Sequence, residues 1–159
     1  MITEELAAPA AEAKVYTLND LFPERNLHRC FLNFIINYRR QIAGLSVIRN
    51  QERYVLELQL QTGEGEHRVR LARLESSSGP ELVSTTSVMH ADPELITPLL
   101  AIFNASVPDR NFSLLFQSSE QPVLRGSQKL CTTPGEQIFC NLIIELGHVA
   151  DLLEATVET

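Results

Sequence analysis

The chain of 159 residues has no tryptophan, three cysteines and four histidines. Cys30, Cys131 and Cys140 are odd in number and lack the paired spacing of a zinc site, so neither a disulfide framework nor a metal knuckle is expected, and reduced thiols are the simplest reading. Long apolar runs are missing too. None approaches the roughly 20 residues of a membrane span, which argues against a membrane partner. Positive charge is in deficit: the net charge is −7 and the pI about 5.1, where a general nucleic-acid binder needs a basic face. The first residues, MITEELAAPAAEAK, carry early glutamates and no basic opening, unlike a secretory signal.

Catalytic signatures are equally scarce. No G-x-S-x-G elbow occurs, and "TGEGEH" is acidic where a phosphate loop needs donors. Glu145 and His148 stand three apart on a predicted helix, but a carboxylate-bridged di-metal site needs a second such pair. His28, His67 and His90 share no motif. Cys30 and Cys140 fall near apolar stripes, where packing thiols are commoner than activated ones. The expectation is a protein that is not an enzyme, with no catalytic residue, no cofactor and no metal.

What is present is a strong pattern. Hydrophobic residues make up 44% and charged residues 21%, enough for one globular domain with a real core. Leu27, Cys30, Phe31, Phe34, Tyr38 and Ile42 recur at helical spacing over about 24–43, with Gly44 as the expected stop. Tyr54, Leu56, Leu58 and Leu60 then alternate with polar residues, and Val69 and Leu71 alternate with Arg68 and Arg70 beyond a Gly63-Glu64-Gly65 turn. "LSVIRN" before this hairpin reads as a lead-in or a further short strand. After a loop at 75–80 a Ser/Thr-rich strand over about 82–89 is expected. A helix follows, capped by Asp92, opened by Pro93 and interrupted by Pro98.

The hairpin "NFSLLFQSSEQPVLRG" and a last helix complete the chain, the helix opening on a Thr133/Glu136 capping box and carrying an internal Gly147. The predicted architecture is α+β: helix, three strands, helix, two strands, helix, with a mainly antiparallel sheet covered by helices on one face. Residues 1–18 read as a flexible tail and 19–159 as one domain.

Charge is split along the chain. Residues 21–73 hold nine arginines and five acidic residues, and the remainder four basic and fifteen acidic. Such asymmetry can steer an acidic partner, although a solvated face is the commoner cause.

Phe112, Leu114 and Phe116 share one strand face, which puts Leu115 on the other. With Leu124 on the return strand and Val55 on a neighbouring one, Leu115 defines an apolar patch expected to dock a protein segment or a second copy of the chain. The competing expectation is a small-molecule sensor with a closed pocket lined by Phe31, Phe112 and Phe139.

The segments "LLAIFNASVPDRNFSLLFQSSEQPVLRGSQKL" and "GEQIFCNLIIELGHVADLLEA" resemble the YbjN family, which shares its fold with type III secretion chaperones. The likeness runs over about 24–155 and rests on Asn104 at a helix end, the strands around Phe112 and Leu124, and Ala150-Asp151 near the end of the last helix. It implies a compact, often dimeric α+β sandwich that binds peptides or protein segments; the expected cytoplasmic placement rests instead on the reduced thiols and the lack of a secretory signal. The resemblance equally implies the sensory-transduction role with which that family has been labelled.

Overall fold

The computed structural model describes residues 22–50, 53–63, 65–77, 79–88, 93–107, 109–116, 121–130 and 135–155. The proposed tail, the Asp92 cap, Thr133 and Cys131 lie outside them. Helix α1 runs Arg25–Asn37 and is followed by four strands, β1 Ile42–Asn50, β2 Arg53–Gln61, β3 Glu66–Ser76 and β4 Gly79–Ser87. Helix α2, Pro93–Ser106, leads to β5 Asn111–Leu115 and β6 Val123–Lys129. A last helix is built from α3 Gly135–Phe139, a π-helical turn Cys140–Ile144 and α4 Glu145–Ala155.

The six strands form one sheet in the order β1-β2-β3-β4-β6-β5, antiparallel throughout. The α+β class and the helices on one face are as expected, with one strand more. "LSVIRN" belongs to a full edge strand of nine residues. The reason lies at the end of α1. The helix stops at Tyr38, whose N–H still reaches the Phe34 carbonyl, and Gln41 and Ile42 then close a turn on the Tyr38 carbonyl. Ile42 therefore starts a strand instead of ending the helix. Gly44 sits inside that strand, where the register with β2 slips between Ile42 and Gly44. The loop expected over 75–80 is likewise largely strand: Glu75 and Ser76 of β3 pair with Pro80 and Gly79 of β4. Gly79 holds φ = 115°, a backbone conformation that glycine adopts freely.

Period-two alternation decides what is buried. Leu56, Leu58 and Leu60 of β2, Val69 and Leu71 of β3, Leu82 of β4, Leu124 of β6 and Phe112 of β5 all face the helices. Above them Phe22, Phe31 and Phe34 gather around Phe139, with ring centroids 5.1–5.8 Å from it. This aromatic knot ties α1 to α3. Pro98 lies within α2 without ending it.

The π-helical turn has a buried polar counterpart. Arg110, 3% exposed, donates to the carbonyls of Asn141 and Phe103 and pairs with Glu145 at 2.8 Å. Its guanidinium also lies 4.3 Å from the Phe112 ring centroid. The Asn141 side chain donates to Gln128 and accepts from Gln137. The widened helix thus brings a buried asparagine to the sheet with its hydrogen bonds made.

Candidate functional site: the open sheet face, its edges and an end cleft

The face away from the helices carries the alternate side chains. One row crosses the sheet through Ile48, Val55, Ala72, Val83, Ser127 and Asn111. Its apolar members are buried or half-buried. The next row is charged. Buried Glu57 accepts from Arg70 at 3.1 Å and lies 3.4 Å from Arg68, while both arginines reach solvent. This pairing accounts for part of the basic front half: the arginines serve a buried carboxylate on their own sheet.

The three residues assigned to one patch do not form one. Leu115 is on this face and 42% exposed, with Phe116 beyond the strand end at 62%. Val55 is on the same face and half-buried. Leu124 is not: it pairs with Leu114, faces the helices and is fully buried. The parity of a two-residue repeat explains the error, since Leu124 sits opposite Leu114 and not opposite Leu115. Strand order separates the remaining two. Between β2 and β5 stand β3, β4 and β6, so Val55 and Leu115 are at least about 19 Å apart at four strand spacings. Phe31, Phe112 and Phe139 line no pocket either. They are 0–2% exposed, Phe31 and Phe139 touch, and Phe112 packs on Phe103 and Arg110.

The two sheet edges differ. At β5, Asn104 of α2 donates through Nδ2 to the Phe112 carbonyl at 3.0 Å and accepts the Phe112 N–H at 2.6 Å. One amide side chain thereby takes the place of a neighbouring strand at Phe112, the second residue of a five-residue edge. At β1, hydrogen bonds run to β2 on one side, and among the described residues no strand pairs with the other. From Ile42 to Ile48 this edge carries neither charge nor proline.

A cleft of about 770 Å³ opens at one end of the sheet, lined by Gln59, Arg68, Thr85, Ser87 and Val123 from the open face and by His67, Thr86 and Glu154. His67, 6% exposed, is on the helix-facing side opposite Leu60, and its Nε2 lies 2.5 Å from Asp151 Oδ1 of α4. Glu154 follows one turn later on the same helix, and the donor atoms of His67, Asp151 and Glu154 all lie within 4.8 Å of one another. Sequence reasoning missed this group. The signal was the parity of β3, where His67 precedes Val69 and Leu71 on the buried side. Its partners are 84 and 87 positions away, a separation that no local pattern bridges. Glu145 and His148 do not converge: Glu145 pairs with Arg110, and His148 is exposed.

No helix among the described residues is long and apolar enough to cross a membrane. No family model matches the chain, and no curated protein matches it. Among solved structures it is similar to one described as "Crystal structure of YbjN, a putative transcription regulator from E. coli", at 14% identity and a TM-score of 0.35, covering 82% of this chain and 90% of that one. At that identity and score the likeness assigns neither a family nor a function.

Proposed function

We propose that this chain is a protein-binding module, not an enzyme, and that its sheet accepts an extended segment of another polypeptide along β1. The observation that carries this reading is the contrast between the edges: β5 is stoppered by Asn104, while β1 offers nine residues of strand with an uncharged centre. Such an edge presents backbone donors and acceptors to an incoming strand, and side chains at alternate positions supply selectivity. A second copy of the chain is one such segment, since two β1 strands pairing about a two-fold axis continue the sheet. Ile48 and Val55 would then flank the junction on the open face, and Leu115 lies too far away to share in it.

Site-specific photo-cross-linking tests this. A photoreactive residue at Ser46, exposed on β1, is compared with one at Asn33, exposed on α1. Adducts, with a copy or with a cellular protein, are expected at several-fold higher yield from Ser46. They should fall when Ile48→Lys introduces a charge beside the edge, with light scattering reporting any change in oligomer size. Equal yields from the two positions would end the proposal.

A further inference from the structure

We propose that His67, Asp151 and Glu154 form a binding site for one divalent first-row transition ion, of which Zn²⁺ is the natural probe. The observation is geometric. One imidazole nitrogen and two carboxylates, from β3 and α4, bring their donor atoms within 4.8 Å of one another. A four-coordinate ion with bonds of about 2.0–2.2 Å holds its ligand atoms about 3.3–3.6 Å apart. The group reaches that arrangement by opening the His67–Asp151 contact by about 1 Å and drawing in Glu154, a long side chain at the lip of the cleft, by up to about 1.5 Å.

The local fold supports it. Asp151 and Glu154 are three apart on α4, so they share a helix face. His67 is placed on the buried side of β3 by the same alternation that buries Val69 and Leu71. Gly147 lets α4 approach this end of the sheet, since a Cβ there would collide with Leu60, the strand partner of His67.

Mixed nitrogen and oxygen donors suit Zn²⁺ and its first-row neighbours, unlike the soft copper(I) ion or the all-oxygen cages of magnesium and calcium. His67 and Glu154 line the cleft, which provides the entry path and water for the remaining coordination position. Binding through Nε2 requires that nitrogen to carry no proton. The ring proton then resides on Nδ1, and any extra proton leaves to solvent.

The test uses the full chain after chelator treatment, titrated with Zn²⁺ by calorimetry and with Co²⁺ by visible absorption. One equivalent is expected to bind, with no thiolate charge-transfer band. Loss of an outer-shell partner costs about 10–100-fold in metal affinity, so Glu154→Gln and Asp151→Asn, which change groups that reach solvent, should each cost at least about tenfold. His67→Gln should abolish binding, and the two carboxylate variants decide the matter if it fails to fold. Absence of saturable binding, variants that bind like the wild type, or a thiolate band from Cys30, Cys131 or Cys140 would each overturn the assignment.

Discussion

Gly147 shows how one missing methyl group sets the distance between a helix and a sheet. In isolation, Gly→Ala inside a helix gains about 1 kcal/mol. Here the added Cβ would overlap Leu60 Cδ2, which is fully buried, and press on Thr62 Cγ2 at 3.2 Å. Overpacking of a core costs about 1–3 kcal/mol, so the loss outweighs the propensity gain. Gly147→Ala should therefore lower stability by about 1 kcal/mol in chemical denaturation, against the helix-propensity rule. Glu24 supplies the pH dependence. Arg73 grips its carboxylate with two hydrogen bonds, at 2.9 and 3.0 Å, and this holds its pKa below the ordinary value of 4.5 despite partial burial. A depressed carboxylate pKa means that the bond's contribution is complete above the unfolded-state value and is lost as pH falls through the folded one. The pair is half-exposed on the Glu24 side, which limits it to less than about 1 kcal/mol. Glu24→Gln should flatten the stability profile below the ordinary glutamate range and leave its shape above pH 6 unchanged, as read from urea midpoints across pH.

Between elements, the decisive joint is Arg110. It follows α2, precedes β5 and reaches the π-helical turn and Glu145, so one side chain binds three parts of the chain. Truncating it leaves the Asn141 and Phe103 carbonyls without these donors in a buried setting, at about 1–3 kcal/mol each, while Glu145 is about a third exposed and regains water. Arg110→Ala should thus cost about 2–4 kcal/mol, well above Glu145→Gln, and raise amide hydrogen exchange in β5 and residues 140–144 first. Asn104 works at the same level. A helix side chain covers a strand edge, so which edge is open depends on an α2–β5 contact rather than on either strand. That contact is why β1, not the greasier-looking Leu115 ribbon, carries the proposed docking role.

Across the whole molecule, buried side chains from all three helices and from β2–β6 make one continuous core, with β1 packed against it through Leu45 and Val47. A single core predicts a single transition. Phe139→Ala removes the ring at which Phe22, Phe31 and Phe34 meet and should cost about 3–5 kcal/mol. Far-UV dichroism and tyrosine fluorescence, to which Tyr38 contributes from a ring tilted on Phe34 at a centroid distance of 5.0 Å, should still report one coincident, shifted unfolding curve. Separated transitions would mean that α1 and the last helix unfold apart from the sheet.

Periodicity alone settled the three helical segments, the β2–β3 and β5–β6 hairpins, the helix-covered face and the core residues of β2 and β3, because alternation and the helical stripe are local properties of the chain; it did not find the full length of β1. It also put Leu115 on the face opposite to Phe112 and Leu114. Strand order, edge coverage and long-range pairing were decided only in three dimensions. Insertion of β6 between β4 and β5 moved Leu115 far from Val55, and the β5–β6 register turned Leu124 inward. His67 met Asp151 across 84 residues because β3 and α4 pack on the same core. Those outcomes depend on which surfaces bury each other best, a property of the assembled layers that no window of sequence contains.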